Sequence, residues 1–172
     1  MFLHNFNVPE QVYSWWFFDY NDLASQTVPI DVLANTETLL ENDATWPYTR
    51  RDHKPVWIKN LYNPETNSMD FHELNIWDMV DMRLDLKIET LVNNTVVDCY
   101  LDVWQWTPSN FKSFFLTSTY FKAIWTYTIN EMIWGYIWDK NIRDNPAKFY
   151  IKADQNIKVT VNWWYCKIIQ KR

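Results

Sequence analysis

The residues that could carry catalytic or metal chemistry are few and scattered in this chain. Three histidines occur, at His4, His53 and His72, and none has a second His or Cys at metal-ligand spacing. His72 lies beside Asp70 and Glu73, a polar cluster that is typical of a surface loop. No nucleophile elbow and no catalytic cysteine signature occurs. These patterns predict a protein that is not an enzyme and that uses no metal or other cofactor.

Carboxylates are common enough here that neighbouring ones carry little information about chemistry. The chain has 21 Asp and Glu residues, so the grouping of Asp78, Asp81 and Asp85 does not predict glycoside hydrolysis. One pair is more specific, because the strand pairing derived below sets Asp85 opposite Asp102. Two facing carboxylates either hold a hard cation such as Ca²⁺ or are relieved by a neighbouring lysine, here Lys87. No calcium-loop spacing accompanies the pair, and both interpretations stay open.

The bulk composition predicts one β-rich domain over residues 1–172. Apolar residues make up 48% of the chain and charged residues 22%, a balance that is typical of a packed globular core. The single glycine excludes the glycine-rich loops that cradle nucleotide phosphates. Asparagine must then supply turn positions of positive φ, for example at Asn93-Asn94. The two cysteines, Cys99 and Cys166, lie in strand-like runs and are expected to be buried thiols.

The N-terminal residues lack the basic start and apolar stretch of a signal peptide. No run of about 18 apolar residues occurs, so no membrane-spanning helix is predicted. We therefore expect a protein that is not secreted by a signal peptide. Its expected location is the cytoplasm of a host cell or, after assembly, a virus particle.

The clearest local pattern is a predicted β-hairpin. Apolar and charged residues alternate from Met82 to Glu89, and the same period returns in residues 96–106 after Asn93-Asn94. A two-residue turn at these asparagines would pair the two strands. The inward face of the hairpin would then match Ile88 with Cys99, Leu86 with Leu101, and Leu84 with Val103.

The outward face of this hairpin is predicted to form part of an interaction surface. It sets Arg83 against Trp104, which suits a cation–π contact, and Lys87 against Tyr100. Trp106 lies on the same side. Aromatic and arginine side chains are enriched where proteins contact partners. We therefore expect Tyr100, Trp104, Trp106 and Arg83 to belong to a binding or assembly surface.

The stretch VNWWYC, residues 161–166, adds one residue to that surface. Val159 alternates with Lys158 along the preceding strand, which gives that strand one apolar face. Continuing the alternation turns Trp163 inward and Trp164 outward. Trp163 is therefore predicted to lie in the core, and Trp164 is assigned to the interaction surface.

A change of phase occurs between residues 120 and 138. Apolar residues alternate in one parity up to Ile129 and in the other from Met132 to Trp138. Two strands, or one strand with a bulge at Asn130-Glu131, would explain the change.

These segments together predict an all-β, mostly antiparallel fold. The alternatives are a β-sandwich and a single jelly roll, each with a few short helices in the connections. The pattern resembles in architecture the single jelly roll of icosahedral viruses. That resemblance implies a coat subunit that works through contacts with other protein subunits.

Charge and aromatic content favour the same function. Residues 140–172 hold eight Lys and Arg against two Asp, although the whole chain has a net charge of −5. An acidic body with a basic end suits contacts between copies. We therefore expect a non-enzymatic structural protein, a virus or phage virion subunit of the capsid type, which forms oligomers. The alternative is a carbohydrate-binding β-sandwich with exposed Trp and Tyr; the acidic net charge disfavours nucleic-acid binding.

Overall fold

The computed structural model describes residues 13–103 and 114–171, without the side chains of residues 114–116 and 171. Strands dominate these ranges, and the helices in them, α1 (Ala24–Thr27) and α2 (Lys140–Asp144), are short connecting elements as predicted. The strands are β1 (Tyr13–Asn21), β2 (Ile30–Val32), β3 (Thr38–Leu39), β4 (Tyr62–Asn63), β5 (Ser68–Met69), β6 (Met79–Thr90), β7 (Thr95–Asp102), β8 (Phe114–Phe121), β9 (Thr126–Tyr136), β10 (Lys148–Ala153) and β11 (Ile157–Lys171).

Two antiparallel sheets form a sandwich. The first sheet has the order β1-β11-β6-β9, with β2 also paired to β11, and the second has the order β3-β10-β7-β8. The pairings are nested, because β1 pairs with β11, β3 with β10, β6 with β9, and β7 with β8. A long hairpin rolled up so that early strands meet late ones in reverse order has the topology of a jelly roll. The predicted all-β, antiparallel sandwich is therefore confirmed.

The predicted hairpin between residues 82 and 106 is wrong, although its buried face is correct. The strand β6 lies in the first sheet and β7 in the second, so residues 91–94 carry the chain across the sandwich. Asn94 takes a positive φ of 62°, as expected for a turn built without glycine. The six apolar residues assigned to the inward face are all buried in one core cluster. Face-to-face packing of two sheets buries the same residues as edge-to-edge pairing, which is why the pattern did not distinguish them.

The assignment of the two adjacent tryptophans is also reversed. Val161 lies opposite Leu86 and Trp163 lies opposite Asp85, so Asn162 is an extra residue in β11. A bulge of this kind changes which parity faces the core. Trp164 is only 1% exposed and joins the core, whereas Trp163 is half-buried on the outer side.

The change of phase after Ile129 comes neither from a bulge nor from a break between two strands, because it lies within the single strand β9. The strand β8 ends at Phe121 and β9 begins at Thr126. Asn130 and Glu131 continue the register of β9 against β6 without a shift. The opposite parity of Met132 and the residues after it therefore means that β9 carries apolar side chains on its outer side.

Both cysteines are buried and neither forms a disulfide, as predicted. Burial raises the pKa of the Cys99 thiol to about 12 and raises the pKa of Cys166 further above its ordinary value. Both thiols therefore stay protonated near neutral pH and act as small apolar groups in the core.

Candidate functional site

The outer side of the first sheet is rich in exposed apolar side chains. Every second side chain of these strands points to the other side of the sheet and fills the core. The exposed apolar side chains are therefore additional to those that form the core. Trp15 is 64% exposed, and Met132 and Trp134 are each 70% exposed. We call this surface the aromatic face, and its residues are Tyr13, Trp15, Phe17, Trp163, Tyr165, Met132, Trp134 and Tyr136.

The strand register places these residues on three strands, β1, β11 and β9, with β6 between the last two. Phe17 lies beside Lys167, Lys167 beside Asp81, and Asp81 beside Trp134, which makes one row across the sheet. The ammonium group of Lys167 also lies 5.6 Å from the ring centroid of Trp15. Aromatic rings therefore alternate with single charges of either sign across the face.

A polar network at the centre of the aromatic face fixes the ring of Trp163. The Arg83 guanidinium lies 5.0 Å from the centroid of this ring and forms an ion pair with Asp85 at 3.0 Å. The indole N–H of Trp163 donates to Asp19 Oδ1 at 3.1 Å. Burial raises the pKa of Asp85, and the Arg83 guanidinium opposes this shift. Burial likewise raises the pKa of Asp19, against the hydrogen bond from Trp163.

Substituting Arg83 with alanine is expected to lower the free energy of unfolding at pH 7 by about 1–2 kcal/mol, because the buried Asp85 loses its counter-charge. The pKa of Asp85 would then rise further above its ordinary value of 3.8. A raised pKa means that the folded state binds the proton more tightly than the unfolded state. The deficit should therefore grow as the pH rises through the folded-state pKa and shrink in acid.

Urea unfolding of Arg83→Ala and wild type between pH 4 and pH 8 measures this dependence. Lys87→Ala is the control, since Lys87 is an exposed cation on the same strand. A deficit that does not change with pH would contradict the assignment of Asp85 as the partner.

The structure brings one of the predicted surface residues to the aromatic face. Arg83 is there, although it stacks on Trp163. Tyr100 is 4% exposed and stacks on Tyr150 at 5.7 Å, so its ring is covered within the second sheet. Trp164 is in the core because of the bulge at Asn162. The remaining two predicted residues, Trp104 and Trp106, lie outside the described residues.

The residues that sequence reasoning missed are Trp15, Met132, Trp134 and Tyr136. Their signal was present in the sequence, because the change of parity after Ile129 puts apolar residues on both sides of one strand. Two strands, or one strand with a bulge at Asn130-Glu131, were the predicted explanations, and either would turn the side chains after Ile129 toward the core.

One end of the aromatic face opens into a groove of about 800 Å³. Its walls include Tyr13, Trp77 and Tyr136, which are 58%, 71% and 41% exposed. Trp77 has a φ of 78°, a left-handed conformation that costs a bulky residue about 1–2 kcal/mol. Two backbone hydrogen bonds with Ile137 hold this segment in place. The Trp77 N–H donates to the Ile137 carbonyl, and the Ile137 N–H donates to the Asp78 carbonyl. The fold thus keeps an exposed tryptophan in a strained position.

Groups of metal-ligating side chains are not found in the described ranges 13–103 and 114–171. Asp85 and Asp102 belong to different sheets, so the facing pair that suggested a cation does not form. His72 Nδ1 lies 2.6 Å from Asp70 Oδ1 in an exposed loop, which fits the surface cluster expected from the sequence. Within the same ranges, no helix has the length and apolar character needed to cross a membrane.

Comparison with known proteins identifies no family for this chain. No protein-family model matches the chain, and no curated protein matches it. The function must therefore be argued from the aromatic face and the groove themselves.

Proposed function

We propose that this protein is a non-enzymatic structural subunit that assembles with copies of itself through the aromatic face. The observation that carries the proposal is the exposure of Trp15, Met132 and Trp134 on the same side of one sheet. Trp, Tyr, Met and Arg are the side chains enriched at the centres of protein interfaces. A sheet that is apolar on both sides has a core on one side and suits a partner on the other.

The size of the aromatic face supports a role as the centre of such an interface. Four strands about 4.8 Å apart and about seven residues long at 3.3 Å each give a flat area on the order of 400 Å². A standard interface buries about 800 Å² on each partner. The face would therefore supply about half of such an interface, with exposed rings on β1 and β9 and charged pairs on β11 and β6 between them, and the flanking loops would supply the rest.

The strand β9 at the edge of the first sheet also supports assembly. Within the described ranges, β9 pairs only with β6, so its other side has backbone groups available for a further strand. Its sequence TYTINEMIWGY contains one charged residue, Glu131, and neither lysine nor proline. Edge strands that avoid pairing with other chains usually carry such residues.

The further step to a capsid-type virion subunit rests on analogy of fold. Jelly rolls build virus capsids, and they also form lectin and cupin domains. The polarity of charge, with eight Lys and Arg against two Asp in residues 140–172, would orient repeated contacts between subunits.

Trp134→Lys is expected to weaken self-association at least tenfold. Trp134 is 70% exposed and lies beside Asp81, so a lysine there can be solvated and paired without unfolding the subunit. In an interface, however, the same lysine would lose its hydration, and the ion pair with Asp81 would not fully offset that desolvation cost. Sedimentation velocity and light scattering over a range of concentration and salt measure the association.

The matched control is Val56→Lys, at a residue that is 93% exposed and belongs to a loop rather than to a strand of this sheet. It should associate as the wild type does. A wild type that stays monomeric at every concentration and salt would overturn the proposal. Equal effects of the two lysine variants would overturn the role of the aromatic face.

A further inference from the structure

The groove at the end of the aromatic face contains a buried carboxylate as well as exposed rings. Asp78 is 3% exposed and lines the groove. Its Oδ2 accepts hydrogen bonds from Gln170 Nε2 at 2.7 Å and from the N–H of Asn75 at 2.8 Å. Both of these bonds end on the same oxygen, which leaves Oδ1 as the acceptor that a ligand can use. The carboxylate is thus held in place by the protein.

The ring of Trp77 supplies the second element of a binding site. It is 71% exposed although its backbone is strained, and glycine would take its φ of 78° without cost. Strain that persists at an exposed side chain with no core role is typical of functional positions. The flat face of an indole offers a large contact area for the C–H groups of a ligand.

The geometry points to a carbohydrate-binding site in this groove, with a neutral pyranose ring stacked on Trp77 and one of its hydroxyl groups donating to Asp78 Oδ1. Tyr13 and Tyr136 supply further aromatic surface along the walls. A sugar ring has an apolar C–H face and a rim of hydroxyl groups, so it matches a groove that combines rings with fixed polar atoms. The volume of about 800 Å³ exceeds a single ring and suits a short oligosaccharide.

A cation such as an alkylammonium group is the rival ligand, because aromatic faces and carboxylates both attract positive charge. Two features favour the sugar. The charge of Asp78 is already shared with two N–H donors. The groove also offers donors of its own, since the side-chain amide of Asn75 and the phenol of Tyr136 lie in its lining. Hydroxyl groups use donors and acceptors together, whereas a cation uses acceptors alone.

The test is titration of the full chain with neutral hexasaccharides, namely cellohexaose, maltohexaose, xylohexaose and hexa-N-acetylchitohexaose, by calorimetry and saturation-transfer NMR. At least one should bind the wild type. Trp77→Gly should weaken that binding at least tenfold without lowering the midpoint of unfolding, because glycine accepts the backbone conformation. Trp125→Ala is the matched control, since it removes an equally exposed tryptophan that lies outside the groove. Its affinity should equal that of the wild type.

Asp78→Asn separates the two ligand classes, because asparagine removes the charge and keeps a polar group in the groove. Its oxygen can accept from Gln170 and the Asn75 N–H, and its NH2 group then takes the place of Oδ1 and donates to the sugar hydroxyl group. Sugar binding should fall only a few-fold, whereas binding of a tetramethylammonium probe would be abolished. The proposal is overturned if no hexasaccharide binds at millimolar concentration, if Trp125→Ala weakens binding as much as Trp77→Gly, or if tetramethylammonium binds and the sugars do not. Should Trp77→Gly unfold, Tyr136→Ala replaces it with the same expected loss. Tyr13 and Tyr136 belong to both the groove and the aromatic face, so the titrations are run at protein concentrations at which sedimentation shows a monomer. Under that condition the site and the proposed assembly can fail separately.

Discussion

Replacing Trp164 with alanine is expected to lower the free energy of unfolding by about 3–5 kcal/mol. The ring is 1% exposed and packs against Tyr62 at 4.7 Å and Phe149 at 4.8 Å between ring centroids. Truncation would remove the side chain from the middle of the sandwich and leave a cavity between parts of both sheets. A loss of this size is a large share of the roughly 5–15 kcal/mol that stabilises a typical domain.

The same change at Trp163 is expected to cost only about 1–2 kcal/mol. Trp163 would lose its hydrogen bond to Asp19 and the contact with the Arg83 guanidinium, which are partly exposed interactions. The two adjacent tryptophans should therefore differ in their effect on stability by a factor of two or more.

Equilibrium unfolding in guanidinium chloride at pH 7 measures both values. Trp164→Phe is the control for ring packing, and it should cost about 1–2 kcal/mol. The indole Nε1 of Trp164 has no hydrogen-bond partner among the described residues, so phenylalanine also removes an unpaired buried donor. A loss from Trp163→Ala equal to that from Trp164→Ala would show that the bulge is misplaced.

The sequence pattern identified strands and buried faces better than it identified neighbours. Alternation from Met82 to Glu89 correctly predicted β6 and the residues that it buries. Alternation of apolar and polar residues shows which side of a strand is buried, but it does not show which strand lies beside it. Asn93-Asn94 has turn chemistry that suits both a hairpin and a crossing between sheets, so the local signal could not decide.

The bulge in β11 left no readable mark in the alternation. Val159, Val161, Trp163 and Tyr165 are all apolar, so a strand without a bulge explains them equally well. Only the contacts of the folded chain show that Trp164 takes the inward position. Trp164 was consequently assigned to a surface when it belongs to the core.

The sequence predicted that the candidate site would contain exposed aromatic side chains, but it did not predict which ones. An aromatic content of 19% indicated that some rings would remain outside the core, and the aromatic face shows where they are. The position of Trp77 had no signal, because tryptophan is not among the residues that favour positive φ and the Asp of this segment stands one position later. Its conformation follows from hydrogen bonds to Ile137, which is distant in sequence.

The second large effect is expected at Ser25, a residue of α1 that satisfies the backbone next to the bulge. Pairing of β1 with β11 reaches Trp163 and pairing of β2 begins at Val159, which leaves Val161 between them. The Ser25 hydroxyl accepts from the Val161 N–H at 2.9 Å and donates to Asp22 Oδ2 at 2.5 Å. One side chain therefore replaces a missing strand partner and is itself held by a buried carboxylate.

Ser25→Ala is expected to lower the free energy of unfolding by about 2–3 kcal/mol, because the buried Val161 N–H loses its acceptor and Asp22 loses a donor. Burial already raises the pKa of Asp22, and the loss of the hydroxyl donor should raise it further. Thr27→Ala is the matched control, since its hydroxyl bonds a carbonyl within the same helix in an exposed position. The control should cost less than about 0.5 kcal/mol. If unfolding in guanidinium chloride gave equal losses for the two variants, Ser25 would not be the group that stabilises the bulge, and the inward position of Trp164 would depend on core packing alone.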